Sequence, residues 1–357
     1  MISAIIPTRD RAPELARTLE AIGRRPVGEI SQVIVVDNAS AQRPAVPARL
    51  DNGARVELVC LDENMGAAAR NVGAELAGEP WLLMLDDDSS PSGGDLGSTL
   101  RAQADDVAAV TMDIHLPAQG RRESGGLPEV PVGCGVVYRR GAFLSAGGYD
   151  ATFGYYAEEY DLAARLLLAG MRVVFEPTLR VDHRKVESGR DMGLILGRLV
   201  RNNGWVMQRY APEDERRARL DETIARYGRI AHKEGAVEGY ARGLAELERT
   251  LGAQARTPMP RGLWDRFTGL SAAREAIGRA VARAGFASAR VVARGKHDWA
   301  VERALREHGV EVREDGEMEV IGTLSPGPML DEASRRPGAV VAWEVGAGAA
   351  VRGGSAA

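Results

Sequence analysis

The sequence predicts an α/β protein: a mostly parallel sheet flanked by helices, then a helical extension and a small C-terminal α/β domain. Three observations carry this. Short apolar runs at residues 2–6, 33–36, 56–61 and 81–85 each stop on polar residues, as strands buried on both faces do. Apolar residues at helical spacing fill the intervals, and strands joined by helical crossovers lie parallel. From Pro212 the pattern becomes long and helical, and strand-like runs return beyond Pro258.

The first strand breaks at Pro7, and the polar loop Thr8-Arg9-Asp10-Arg11 leads to a helix carrying Leu15, Leu19 and Ile22. The second ends at Asp37-Asn38-Ala39-Ser40. Ligands of such sheets gather at the carboxyl ends of strands, so Asp37 suits a ribose or base, or else caps the next turn. After the third strand, Asn64-Met65-Gly66 opens a helix of small residues that lets a ligand approach, and the planar fork of Arg70 suits a diphosphate. The fourth strand stops on Asp86-Asp87-Asp88. If the chain stays extended there, Asp86 and Asp88 project to one side as a claw for Mg²⁺ or Mn²⁺. A solvated acidic turn is the plainer alternative.

Residues 91–131 read as a Gly/Pro-rich loop. A strand over 133–140 and an aromatic-rich loop follow. Glu158-Glu159-Tyr160-Asp161 then opens a helix with Leu162, Leu166 and Ala169 on one face. The helix dipole alone favours acids at such a start, by about 0.3–1 kcal/mol. A strand over 171–175, a break at Pro177 and Val181-Asp182-His183-Arg184 complete this part.

In this order the pieces resemble the family 2 glycosyltransferases, inverting enzymes of the Rossmann-like GT-A fold of nucleotide-diphospho-sugar transferases. The residues that carry the resemblance are Ile5-Ile6-Pro7-Thr8, Val35-Val36-Asp37-Asn38-Ala39-Ser40, Asn64-Met65-Gly66 with Ala69-Arg70-Asn71, Leu85-Asp86-Asp87-Asp88, Gly147-Gly148-Tyr149-Asp150, Glu158-Glu159-Tyr160-Asp161-Leu162 and His183. Each motif alone is weak; the ordered set is specific. The resemblance implies a nucleotide-diphosphate sugar as donor and a divalent metal, Mg²⁺ or Mn²⁺, as cofactor. Pro7, Thr8 and Asp37 then look like nucleotide contacts, Arg70 like a diphosphate or ribose contact, and Asp86 with Asp88 like the DXD pair, Asp86 serving ribose and metal. His183 looks like the histidine that closes over the metal. The general base falls on Glu159, where relatives carry Asp, which leaves Glu158 and the more distant Asp161 as competitors. Arg9-Asp10 replaces the usual Tyr-Asn, leaving the nucleotide open. A carbohydrate, lipid-linked or protein acceptor is implied, with cell-surface polysaccharide, glycolipid or glycoprotein as product. A nucleotidyltransferase and a non-catalytic nucleotide-sugar-binding regulator are the alternatives.

The boundaries expected are 1–185 for the catalytic domain, 186–256 for the helical extension, 257–345 for the small α/β domain and 346–357 for a disordered tail. In the extension Leu220, Ile224, Tyr227, Val237, Tyr240, Leu244, Leu247 and Leu251 mark the buried face. In the small domain strands are expected at 289–293, 310–312, 320–321 and 340–343, with a helix over 299–307. It is faintly like half of a nucleotide-binding fold, but Val292-Ala293-Arg294-Gly295-Lys296-His297 is a poor phosphate loop, so a degenerate or scaffolding role is expected.

At 357 residues, 45% hydrophobic and 27% charged, the chain reads as an ordinary soluble protein. Its net charge of −4 gives no reason to expect a nucleic-acid partner. No apolar run approaches the roughly 20 residues that span a bilayer, and a cytoplasmic location is the expectation. Residues 261–313 hold 11 Lys and Arg against 6 Asp and Glu, a net charge of +5. That suggests a peripheral contact with anionic lipid at the inner membrane face, against the plainer reading of scattered surface charge. Cys60 and Cys134 are expected as buried free thiols.

Overall fold

The computed structural model describes residues 1–185 and 191–345; the expected tail at 346–357 lies outside them. Nine strands form one sheet: β1 (Ile2–Thr8), β2 (Ile30–Asp37), β3 (Arg55–Cys60), β4 (Trp81–Met84), β5 (Ser89–Gly93), β6 (Val107–Leu116), β7 (Arg121–Arg122), β8 (Val136–Arg139) and β9 (Arg172–His183). Their order is β3-β2-β1-β4-β8-β6-β9-β5, with β7 paired to β6. The half from β3 to β4 is parallel, β8 runs antiparallel to both its neighbours, and β6 and β9 are again parallel. The expected α/β class is therefore the observed one.

Helices α1 (Ala12–Gly23), α2 (Ala69–Leu76), α3 (Leu96–Arg101), α4 (Arg140–Ser145) and α5 (Glu158–Leu168) cover the sheet. Alternation along β1 sorts its residues between two cores. Ala4 and Ile6 pack with Leu15, Leu19 and Ile22 of α1, while Ile5 packs with Ala69, Ala74, Leu162 and Leu166. At 25 cal/mol per Å² each such aliphatic side chain contributes about 1.5–3 kcal/mol. Gly73 marks the tightest approach of α2 to the sheet, since a Cβ there would lie 2.6 Å from Ile5 Cγ2.

Beyond the sheet come α6 (Met192–Tyr210), α7 (Glu213–Lys233) and α8 (Val237–Thr250). Helices α6 and α8 cross backbone to backbone on glycines: a Cβ at Gly239 would sit 2.2 Å from Gly193, and one at Gly243 would sit 2.1 Å from the Gly197 carbonyl oxygen. The remainder is α9 (Arg261–Thr268), α10 (Leu270–Ala284), β10 (Ser288–Val292), α11 (Asp298–Glu307), β11 (Glu311–Val312), β12 (Met318–Ile321) and α12 (Pro326–Arg335). Here a three-stranded parallel sheet has the order β11-β10-β12. One apolar core runs unbroken from Phe153 and Tyr160 through Trp205 and Met207 to Trp264, Phe267, Leu305 and Val320.

Four expectations need correction. Residues 91–131 are not one loop but hold α3 and β6, an interior strand whose Val107-Ala108-Ala109-Val110 run is buried between β8 and β9. Residues 171–175 extend past Pro177 into a single β9, because a register irregularity opposite Met112 and Asp113 absorbs the proline. Residues 340–343 form only an isolated bridge from Val340 to Val320, and α12, unread in the sequence, fills the space. Cys60 is exposed, because β3 is an edge strand with only one covered face; Cys134 is buried. Among the described residues no helix is long and apolar enough to cross a membrane.

Candidate active site

The carboxyl ends of β1, β2 and β4 lie side by side, because the three strands are parallel neighbours in the sheet. The acidic run does not stay extended: β4 ends at Met84, and the Ser89 N–H donates to the Asp86 carbonyl at 3.1 Å, closing a turn over Asp87 and Asp88. Each of the three carboxylates then has its own set of partners. Asp86, 38% exposed in its side chain, pairs with the buried Arg70 guanidinium. Asp87 accepts from Thr8 Oγ1 at 2.8 Å and meets Arg11 at 3.0 Å. Asp88 takes Arg11 Nη2 at 2.6 Å and His183 Nε2 at 3.2 Å.

Burial alone would raise the Asp88 carboxyl, but His183 and Arg11 hold it well below the usual carboxylate range. Burial pushes Asp87 up to about 7 despite Arg11 and Thr8. Burial likewise opposes charge on His183, and Cys134, Asp88 and Glu123 overcome it, so the imidazole pKa is raised. Its Nδ1 lies 3.0 Å from Glu123 Oε2, and Lys185 Nζ bonds the other Glu123 oxygen at 2.7 Å. Arg11 and Glu123 are absent from the sequence-based site. Arg11 was legible only as part of a polar loop, and Glu123 carries no periodic or motif signal.

For a divalent cation the donor chemistry fits. Ligand atoms of Asp86, Cys134 and His183 lie within 4.8 Å of one another, and Asp88 adjoins His183. The Asp86 carboxylate, with Asp88 nearby, is the oxygen donor that Mg²⁺ or Mn²⁺ takes, and the His183 imidazole is a borderline donor; the Cys134 thiol is a soft donor that suits neither ion, and burial keeps it protonated. Arg70 Nε is buried with no hydrogen-bond partner among the described residues, so the guanidinium keeps a spare donor beside its pairing with Asp86.

The remaining nucleotide-side residues sit at the same strand ends. Pro7 and Thr8 close β1 beside Val36 and Asp37 of β2. Asp37 is buried and accepts from the Ser40 N–H at 3.1 Å, which caps the turn after β2. Arg9 is exposed and faces only Asp10, at 3.8 Å.

Helix α5 supplies the opposite wall. Tyr156 and Ala157, with φ of 74° and 66°, enter it through two consecutive left-handed residues, a strained turn that proteins retain where a site requires it. Asn202 of α6 clamps that turn, its Nδ2 lying 3.0, 2.9 and 2.6 Å from the carbonyls of Phe153, Tyr155 and Tyr156. Glu158 is 5% exposed, and its Oε2 has no hydrogen-bond partner among the described residues. Glu159 is only partly buried, and its Oε1 accepts the Gly133 N–H at 3.0 Å. Burial pushes both carboxyls up, Glu158 further because Glu159 lies beside it. Asp161 faces away: Arg165, Arg209 and Tyr210 occupy both its oxygens at 2.7–2.9 Å, which removes it as a competitor for the base.

The two walls meet through one short segment. Glu159 bonds Gly133, whose neighbour Cys134 lies 3.7 Å from His183, which in turn touches Asp88.

Residues 3–143 match the sequence model described as glycosyl transferase family 2. They are a family 2 glycosyltransferase domain. A pre-mycofactocin glycosyltransferase of Mycobacterium tuberculosis is 30% identical over 210 residues, covering 51% of this chain and 42% of the relative. An uncharacterized glycosyltransferase of Haemophilus influenzae is 36% identical over 89 residues, covering 25% of this chain and 29% of that one. The chain thus spans less than half the length of these relatives. The glycosyltransferase domain has the GT-A fold: the crystal structure of GalNAc-T7 with UDP, GalNAc and Mn²⁺ superposes with a TM-score of 0.50 at 16% identity, covering 71% of this chain and 57% of that one.

Proposed function

We propose that this chain is an inverting glycosyltransferase that moves a sugar from a nucleotide-diphosphate donor to a hydroxyl acceptor. The observation that supports the proposal is the contact chain that joins two unlike acidic groups: Asp86 and Asp88 among cations, and Glu159 linked to them through Gly133, Cys134 and His183. The M. tuberculosis relative is named a glycosyltransferase, and GalNAc-T7 was solved with UDP and Mn²⁺; both support a nucleotide-sugar donor.

Asp86, Asp88 and His183 would hold a divalent metal, Mn²⁺ or Mg²⁺, which when bound neutralises charge growing on the departing diphosphate. Arg70, released from Asp86, offers its planar fork to the same phosphates. Pro7, Thr8 and Asp37 line the nucleoside end. Glu159 accepts the proton of the acceptor hydroxyl as that oxygen bonds to the anomeric carbon, while the carbon–oxygen bond to the diphosphate breaks on the opposite face. Glu159 suits this role better than Glu158 because it is the less buried of the two. The acceptor is a carbohydrate, lipid-linked or protein hydroxyl.

The test is donor hydrolysis with UDP-, GDP- and dTDP-sugars and added Mn²⁺. Turnover of one class, lost in Glu159→Gln while calorimetric affinity for the nucleotide diphosphate persists, is expected. No binding of any nucleotide diphosphate with Mn²⁺ would overturn the reading.

A further inference from the structure

The C-terminal three-stranded sheet has its own crevice. With the order β11-β10-β12, the neighbours of β10 lie on either side, and in open parallel sheets such a switch point at the strand's carboxyl end is where ligands bind. The segment there is Ala293 to His297, held by left-handed residues at both ends, Ala293 at φ 48° and His297 at φ 57°. It is clamped from three directions: Arg226 Nη1 of α7 donates to the Gly295 carbonyl at 2.8 Å, the Leu324 N–H to the Lys296 carbonyl at 3.0 Å, and His297 Nδ1 to the Thr268 carbonyl at 2.8 Å.

The clamp places Lys296 Nζ 4.1 Å from the ring centroid of Tyr160, the residue after Glu159. Carboxylates answer nearly every other cation of this region. Within 261–313, Arg261 and Arg303 meet Glu215, Arg266 meets Glu129, Arg290 meets Glu319 and Arg294 meets Glu302. Of the described residues no carboxylate comes within 4.0 Å of Lys296 or of its neighbour Arg226, and both are partly buried. The Tyr160 hydroxyl beside them is buried and makes no hydrogen bond among the described residues, its residue being 7% exposed.

Two cations left unanswered and one orphaned hydroxyl describe an anion site. We propose that Lys296, Arg226 and the Tyr160 hydroxyl form an oxyanion subsite on the acceptor side of Glu159, taking a phosphate or carboxylate carried by the acceptor. The word acceptor rests on the transferase reading; the anion site does not. Burial and Arg226 pull the Lys296 ammonium down to about 7, with Glu159 pulling it up, while burial keeps His297 neutral with a pKa near 3. Anion affinity therefore falls as pH rises past about 7.

The chain has three lysines, Lys185, Lys233 and Lys296, so full-length protein labelled with ¹³C at lysine Cε gives a resolvable spectrum. Titration with inorganic phosphate should move the Lys296 signal saturably while Lys233 stays fixed. Arg226→Met should weaken the affinity about tenfold, as loss of a charge-assisted hydrogen bond does. Equal, non-saturating drift of all three signals, or an unchanged affinity in Arg226→Met, would overturn the site. Binding of UDP or GDP with Mn²⁺ on the same sample reads the donor site separately. Nucleotide binding without the phosphate response sinks only this inference, and the phosphate response without nucleotide binding removes the acceptor. The source of the anion is read by donor consumption with glycerol 3-phosphate against glycerol. A preference of about tenfold in the wild type, kept by Lys296→Arg and lost by Lys296→Met, is expected; equal consumption would assign a free anion and overturn the acceptor-borne one.

Discussion

The two acidic walls of the cleft have the same kind of side chain and opposite surroundings. Around residues 86–88 each carboxylate has a cation: Arg70 on Asp86, Arg11 on Asp87 and Asp88, His183 on Asp88. At the head of α5 the pair Glu158 and Glu159 has one backbone N–H from Gly133, its own helix start, and a more distant Arg70 and Lys296. The first environment holds Asp88 ionised while burial lifts its neighbour Asp87 to about 7, and the second makes charge costly on both carboxyls. When one site pushes its carboxyls apart in this way, the depressed group holds cations and the raised group exchanges protons.

The comparison breaks most easily at Glu159. Glu159→Gln should lower transfer by about 10²–10⁴-fold and leave nucleotide-diphosphate affinity within twofold or so, measured by turnover and calorimetry; near-native turnover would give the proton to another group. Next in size, Asp88→Asn or Asp86→Asn should cost roughly tenfold or more in Mn²⁺-dependent nucleotide affinity, about the value of one charge-assisted contact. Equal affinity with and without metal in the wild type would count against that wall.

A finer probe is Gly133→Ala. Its Cβ would lie 2.9 Å from Glu159 Oε1, so the carboxylate must move although the metal side is untouched. A fall of several-fold in kcat with unchanged nucleotide affinity is expected, since misplacement of a reacting group by a fraction of an ångström is already felt. The smallest effect is on pH. Glu159 acts as base only when ionised, and its raised pKa means that turnover is lost as pH falls through that value. Lys296 pulls the value down, so Lys296→Met should move the acid limb of the kcat profile to higher pH, and an unmoved or lowered limb would show that the two do not interact.

The parallel half of the sheet was legible because β1, β2, β3 and β4 are apolar runs that stop on polar residues, the pattern that two-sided burial imposes. Helices α5, α7 and α8 were legible from spacing, and Glu159 and His183 were singled out only by the family resemblance. The strand β6 was hidden by the glycines and prolines on both sides of it. The claw at Asp86 and Asp88 assumed an extended chain, and a single hydrogen bond from Ser89 to Asp86 undid the alternation. Arg11, Glu123 and Lys296 lie far from the residues they touch, and nothing local in the sequence announces a contact across 77, 60 or 136 positions. The basic segment 261–313 was legible as a charge count only; its charge is largely answered by Glu129, Glu215, Glu319 and Glu344 from outside the segment.

The glycine crossing of α6 and α8 bears on this cleft from a distance. Helix α8 rests on Gly193 and Gly197 without any intervening side chain, and α7, which carries Arg226, packs against both helices. Where α7 and its Arg226 lie thus depends on how closely two bare backbones approach. A single methyl group at Gly239 or Gly243 would act as a shim between α6 and α8 and displace Arg226, although neither glycine touches residues 86–88.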